Sequence, residues 1–501
     1  MTASNTIQDL QTGVPYLLFD CFLNKHGTYP APAGPSDLAW FEQARVGMFV
    51  HWNHSSIAAR EISWTMQYAE DMGRPRMAMP DYVALAERFN PVEFSAKAWV
   101  ELAQASGMGY LLLVVKHHDG FAMWDTKTSD YKITKTPFKR DVCREIADAC
   151  HAAGMRLGWY YSPADWWHPA SRAGDWDTYV PYMQEQLREL MTGYGAIDFL
   201  AFDYWSPACN HPSWEGFYRE LRRLCPHYIH SRNTPWAIGD YEVMEHSAPY
   251  FRDPRSTAWS GIGAPGGFAS RMTCADPFEA LICLQPRRWS YWNGSAKPLA
   301  ECVGALVDCA THGGNLTLNV TPNALGRIPS EQTQRLREIG AWISTHGKTI
   351  VGTRGGPLLP ILIPKTPDQV PADYAPEMLG GGGVRPHGSR CQAGCTSVDN
   401  RLYIHVWPGV RDAVLELPPE VAKVAVSCHR LDGGSLPYHL KEGRLQIPVP
   451  PEPGPITTLE LKLAVPAAQL PLTAFKLRPA PPNSYSTLPE ANPNTDISTQ
   501  P

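Results

Sequence analysis

Tyr110-Leu-Leu-Leu-Val-Val-Lys-His-His118 is an apolar run of six residues, Tyr110–Val115, that ends in a lysine and two histidines. A run this short and this apolar reads as a strand covered on both faces, as in a parallel sheet. Comparable runs recur at Gly47–Trp52, Arg156–Ser162, Ile197–Asp203, Tyr228–Arg232, Tyr241–His246, Trp289–Trp292 and Leu316–Val320. Apolar residues at helical spacing fall between several of them, over Ala96–Gly107, Asp141–Gly154, Tyr179–Gly193 and Ala300–Gly313, each ending on a glycine suited to cap a helix. Eight strand–helix repeats over about 300 residues predict a distorted (β/α)8 TIM-like barrel of class α/β rather than an open sheet.

After the amphipathic stretch Ser330–Gly347 the helical signal stops. Short β-type runs follow at Leu402–Trp407, Ala413–Leu417, Ala422–Cys428, Arg444–Val449 and Thr457–Leu463, separated by turn signals such as Asp432-Gly433-Gly434. They predict a C-terminal antiparallel β-sandwich. The expected organisation is an N-terminal extension over 1–38, a catalytic barrel over 39–352, the sandwich over 353–465 and a Pro-rich flexible tail over 466–501. Gly380–Gly383 follow no strand and open no helix, so they do not read as a phosphate cradle.

Composition narrows the function. The 501 residues carry 44 basic and 49 acidic side chains, a formal net charge of −5, which lacks the basic footprint of a nucleic-acid binder. An apolar run of six residues is far short of the roughly 20 needed to span a membrane. No basic residue precedes Lys25 and Tyr16–Phe19 is too short for a signal-peptide core, so a cytoplasmic protein is expected. The twelve cysteines include one C-x-x-x-C pair, Cys391 and Cys395, and read as reduced core residues, with a zinc site the minor alternative. Seventeen tryptophans, sixteen of them before residue 350, are compatible with flat platforms for sugar rings as well as with a large core.

A barrel of this kind carries its chemistry where the strands end. There stand His51, His117 and His118, Tyr160 and Tyr161, Asp203, Arg232, and Glu245 with His246. Each alone reads more often as a structural hydrogen-bonding group; together they would converge on one mouth. Two carboxylates in one mouth point to glycoside hydrolysis, one as nucleophile or base and one protonated as acid. Asp203 closes the apolar run Ile197–Phe202, and Glu245 follows Val243-Met244, where desolvation would raise its pKa. A metal on His117 and His118 is disfavoured, because adjacent residues of a strand point to opposite faces. No metal and no cofactor are expected.

Several of these segments resemble the α-L-fucosidases of glycoside hydrolase family 29. The resemblance rests on Trp40-Phe41 through GMFVHW ending at Trp52, on Lys116-His117-His118-Asp119-Gly120-Phe121 with Trp124-Asp125, on Lys139-Arg140-Asp141, on Gly158-Trp159-Tyr160-Tyr161-Ser162, and on Gly239–Glu245. Gly313-Gly314-Asn315 through Asn319, Gly326-Arg327-Ile328-Pro329, Gly340-Ala341-Trp342 and Gly352-Thr353-Arg354 continue it. It implies a retaining exo-glycosidase acting on fucosylated oligosaccharides or glycoconjugates, with Asp203 as nucleophile and Glu245 as acid/base. It also implies that His51, His117, His118 and Tyr160 grip the sugar hydroxyls, that Trp64 lines the pocket, and that Arg232 lies near the nucleophile. The chain departs from the pattern at Ser63, where a glutamate usually precedes the pocket tryptophan, at Ala201, usually tryptophan, and at Asn53, usually glycine. Glu61 is a candidate substitute for the missing glutamate, and Trp205 for the missing tryptophan. These departures leave two other readings: a retaining glycosidase for a fucose relative such as α-L-galactose, and a catalytically silent carbohydrate-binding homologue. No nucleic acid or membrane partner is expected; homo-oligomerisation is left open.

Overall fold

The computed structural model describes residues 31–67, 77–203, 206–232, 239–245, 277–285, 289–362, 391–408, 413–450 and 454–479, with two-residue strands at 7–8, 15–16, 247–248, 251–252, 273–274 and 385–386. Gly380–Gly383, Trp205, His246 and residues 480–501 lie outside the described residues, as does the side chain of Arg232.

Eight parallel strands close into a barrel. They are β1 (Val46–Val50), β2 (Tyr110–Lys116), β3 (Arg156–Tyr161), β4 (Phe199–Phe202), β5 (Ile229–Arg232), β6 (Tyr241–Glu245), β7 (Phe278–Cys283) and β8 (Asn315–Val320). The circle is completed by β6 on β7 and by β8 on β1. Around it run α1 (Pro35–Ala44), α2 (Ala96–Ala105), α3 (Val142–Ala153), α4 (Trp176–Thr192), α5 (Trp214–Leu224), α6 (Leu299–Thr311) and α7 (Ser330–His346). Asp141 caps α3 by accepting from the Arg144 amide, and Gly154 ends it in the left-handed conformation that a glycine adopts without strain. Gly193, read as a similar stop, is right-handed instead.

One expected strand is displaced. Trp289–Trp292 is not in the barrel; Phe278–Cys283 takes that place, between β6 and β8. Its apolar pattern is broken by Glu279, whose Oε2 accepts from Tyr110 Oη and Thr317 Oγ1 at 3.0 and 2.6 Å.

Side chains alternate between two layers. Met48 and Val50, Leu111 and Leu113, Trp159 and Tyr161, and Leu200 and Phe202 pack outward under the helices. Phe49, Tyr110, Leu112, Val114, Tyr160, Phe199, Ala201, Tyr241, Val243 and Leu281 fill the barrel interior. At the base of that interior, glycines face aromatics. A Cβ on Gly47 would lie 2.1 Å from the Tyr110 ring and one on Gly158 2.4 Å from the Phe199 ring, so the rings occupy the space these residues leave.

The C-terminal strands form antiparallel sheets with a core of their own. Cys391–Val398, Arg401–Val406, Thr457–Leu463 and Ala425–Arg430 pair in that order, and a second sheet runs His439–Lys441, Arg444–Pro448, Ala413–Leu417 and Lys476–Pro479. The last of these corrects the expected tail. Residues 476–479 pair with Ala413–Glu416, so ordered chain continues past 465 despite its prolines. Trp407 packs with the barrel's outer core, its indole 3.3 Å from where a Cβ on Gly304 of α6 would stand.

Burial raises the Glu279 carboxyl from 4.5 to about 7. The folded chain therefore binds this proton more tightly than the unfolded chain does. The contribution is full below pH 4.5 and is lost as pH rises through 7. At 1.36 kcal/mol per pH unit this amounts to about 3 kcal/mol. The melting temperature of wild type should fall relative to that of Glu279→Gln between pH 5 and 7 and then run parallel to it; parallel curves throughout would refute the assignment.

Candidate functional site

Alternation carries the interior rows up to the mouth. Phe49 leads to His51, Ala201 to Asp203, Val243 to Glu245, and Thr317 to Asn319, each two residues further along an inward-facing row. Tyr161 is one residue out of step with Tyr160. It faces the helices, where its hydroxyl donates to Gln186, and so leaves the set expected at the mouth.

The two histidines after β2 need a further step. Alternation from Tyr110 would turn His117 toward the helices. A β-bulge prevents this: Val114 pairs with Tyr160, but Lys116 pairs with Tyr161, leaving Val115 as an extra residue. Lys116 then points outward, buried against the Tyr161 and Tyr179 hydroxyls and 3.4 Å from Asp165. His117 points inward. The strand ends at Lys116, so the opposite-face rule does not separate the two histidines; their rings lie 4.1 Å apart.

The resulting cluster is tight. The His51 ring lies 5.7 Å from that of His117 and 5.9 Å from that of Tyr160, and His117 stacks on Tyr160 at 5.8 Å. The Tyr160 hydroxyl donates to Asp203 Oδ2, and His118 Nε2 lies 3.6 Å from the same oxygen. Burial, then the charge of Asp203 and that of Glu245, hold the Tyr160 phenol well above its ordinary pKa. One phenol thus senses both carboxylates. Asp203 is buried, while Glu245 is half-buried at the end of β6, beside Leu281. Trp64 sets its edge against His118 at 5.4 Å. Arg232 ends β5, with its backbone paired to Glu242.

The His117 and His118 imidazoles are neutral. Burial, reinforced by Lys116 and His51, lowers His118 to about 3. Burial, with His118 and His51 beside it, holds His117 well below its ordinary value. Among the described residues no three His, Cys, Asp or Glu side chains are placed to share a metal ion.

Sequence reading missed three aromatic walls. Trp289 lies 5.0 Å from His51 and 6.2 Å from Phe49. Trp166 packs on His118 at 5.0 Å and on Trp64 at 5.3 Å. Phe49 was legible as the residue two before His51. Trp166 sits on a loop, where no periodicity marks it, and Trp289 opens the run read as a strand, which is a loop.

Glu61 is buried, and its Oε1 accepts from the backbone amides of Trp289 and Ser290 at 3.0 and 2.9 Å. Ser290 Oγ in turn accepts from the Ile62 amide at 2.7 Å. Glu61 therefore ties the loop after β7 to the segment before Trp64. Ser63 contacts His117 Nδ1 at 2.7 Å, and Asn53 donates to Asp119 at 2.7 Å. Two of the positions that depart from the family pattern thus belong to a shell behind the rings. Ala201 is buried inside the barrel, paired with Tyr160.

The sequence profile of the family described as alpha-L-fucosidase matches residues 33–348. The plasma alpha-L-fucosidase of Rattus norvegicus is 26% identical over 348 residues, covering 63% of this chain and 70% of that protein. The tissue alpha-L-fucosidase of Homo sapiens is 25% identical over 343 residues, covering 63% and 69%. Alpha-L-fucosidase isoenzyme 1 from Paenibacillus thiaminolyticus superposes with a TM-score of 0.66 at 28% identity, over 85% of this chain and 98% of that one. An alpha-L-fucosidase of Bacteroides thetaiotaomicron, solved as a trapped covalent intermediate, has a TM-score of 0.68 at 20% identity, over 86% and 97%.

Replacing Glu61 with alanine removes a charged acceptor shared by two buried amides, a loss of roughly 1.5–3 kcal/mol. The amides of Trp289 and Ser290 should then exchange hydrogen faster while those of β1 and β2 do not. Unchanged protection at 289 and 290 would exclude the tie.

Proposed function

This chain belongs to the alpha-L-fucosidase family of glycoside hydrolases, and from that premise we propose that it removes terminal α-L-fucosyl groups from oligosaccharides or glycoconjugates by a retaining double displacement. The observation that carries the mechanism is the Tyr160 hydroxyl, which donates to Asp203 and feels the charge of Glu245. Retaining glycosidases hold their two carboxyl groups about 5–5.5 Å apart. A phenol bonded to one carboxylate and within the field of the other supports both carboxyl groups serving one sugar, and the family supplies the retaining stereochemistry.

In this reading Asp203 attacks the anomeric carbon while Glu245, protonated, gives its proton to the leaving oxygen. The glycosidic bond breaks and an ester to Asp203 forms. Glu245, now a carboxylate, takes a proton from water, which attacks the same carbon and expels Asp203. Two inversions give net retention. The Tyr160 hydroxyl supports the Asp203 carboxylate, and the His118 ring stands beside it with Nε2 3.6 Å from Oδ2. The neutral ring of His117, with His51 beside it, receives sugar hydroxyls without adding a charge that would oppose the oxocarbenium-like transition state. Phe49 and Trp289 supply the apolar surface that a C5 methyl group needs. Trp64 and Trp166 close the side next to His118.

An aryl α-L-fucoside tests this reading against its rivals. Wild type should release the aryl alcohol, and Asp203→Gly should lower kcat by at least about a thousandfold. Glu245→Ala, assayed on an activated aryl fucoside with azide, should yield the α-configured fucosyl azide. Release from the α-L-galactoside alone would replace the sugar assignment, and binding without release from either would make the protein a lectin. Undiminished turnover in Asp203→Gly would remove it as nucleophile.

A further inference from the structure

Ser63 stands directly behind the pocket, fully buried, at φ +58°. That backbone conformation relaxes in glycine and is strained in serine, so the side chain needs its own account. Its Oγ has two polar neighbours: the Asp119 amide at 2.9 Å and His117 Nδ1 at 2.7 Å. The first is a donor, so Oγ accepts from it. The hydroxyl proton then has His117 Nδ1 as its acceptor. The opposite assignment, with Nδ1 protonated and donating to Ser63, would leave the serine proton buried without a partner, a costly state.

The surrounding bonds point the same way. Asn53 Oδ1 accepts from the Ser55 amide, which turns the Asn53 amide nitrogen toward Asp119 Oδ2 at 2.7 Å. The Tyr82 hydroxyl donates to that same oxygen at 2.6 Å and accepts from the Ser63 amide at 2.9 Å. Asp119 Oδ1 accepts from the Phe121 amide at 3.1 Å. Every donor in this chain has an acceptor only when the Ser63 proton points at His117.

We propose that Ser63 is a positioning residue: it donates to Nδ1 of His117, holds the ring as the Nε2–H tautomer, and so makes His117 a pure hydrogen-bond donor to one sugar hydroxyl. Among the described residues His117 Nε2 has no hydrogen-bond partner, which leaves its proton for the ligand. His51 has the opposite setting. Its Nδ1 lies 2.6 Å from Asn319 Oδ1, and the Asn319 amide nitrogen donates to the Trp289 carbonyl at 2.8 Å, so His51 Nδ1 carries the proton. Two rings 5.7 Å apart thus differ in what stands behind Nδ1: a hydroxyl that donates at His117 and an amide oxygen that accepts at His51.

The part of this inference that concerns a sugar rests on the glycosidase reading; the tautomer does not, and the experiment separates them. Protein labelled with 15N-histidine, without ligand, is read by long-range 1H–15N correlation, with His117 assigned by its loss in His117→Gln. In wild type, His117 Nε2 should give the protonated signal and Nδ1 the unprotonated one; protonated Nδ1 overturns the proposal. Ser63→Gly keeps the left-handed turn and removes the CH2OH group, and should melt within a few degrees of wild type. It should shift His117 toward the other tautomer and lower kcat/KM for an aryl α-L-fucoside roughly tenfold. On one member of a 2-, 3- and 4-deoxyfucoside series, the one lacking the hydroxyl that His117 receives, that loss should vanish. Wild-type kinetics in Ser63→Gly, or an equal loss on every deoxy substrate, would reduce Ser63 to a turn residue. Should wild type turn over no fucoside while the tautomer is as stated, the functional reading fails and the positioning role stands.

Discussion

A closed sheet with a side-chain period of two leaves each strand one inward row, and everything at the mouth depends on which residues fall in it. Once Phe49, Ala201, Val243 and Leu281 are committed to the interior, His51, Asp203, Glu245 and Cys283 must face the axis, because each stands two residues further on. The base of the interior is filled by the Tyr110 and Phe199 rings, which fit only because Gly47 and Gly158 carry no side chain. The chemistry at the mouth is therefore positioned by packing at the opposite end of the same rows.

Strand β2 breaks the period once, and the break is functional. Val115 is an extra residue, so Lys116 turns outward and His117 inward. The buried ammonium is then held by two tyrosine hydroxyls, a carbonyl and the Asp165 carboxylate. Asp165 also accepts from the Trp167 and His168 amides, which orders the loop that carries Trp166. A bulge in one strand thus aims a histidine and, through Lys116 and Asp165, helps place an aromatic wall.

Burial does the electrostatic work. It keeps the His117 and His118 rings neutral, so their polarity is decided by the hydroxyls behind them rather than by charge. The C-terminal sheets take no part in the mouth among the contacts described. They lie against α6 and the turn after it, where Gly394 and Gly355 come close to Thr311. Trp407 completes that contact, which accords with a core role rather than a sugar platform.

Seven of the eight barrel strands were legible as apolar runs, because a strand covered on both faces has little use for polar residues. The β7 strand was not, since Glu279 breaks its pattern and is held at Oε2 by hydroxyls from β2 and β8 that are distant in sequence. Asp203, Glu245, His51 and Tyr160 could be named from the ends of their runs. Their neighbours could not: Trp166 and Trp289 reach the mouth on loops, and Glu61 acts on amides 228 residues away. Local periodicity alone marks the barrel strands and the polar residues at their ends, Asp203 and Glu245 among them. Which way His117 faces, and what stands behind its Nδ1, needs the folded chain, because a bulge is defined by the partner strand and Ser63 lies 54 residues away.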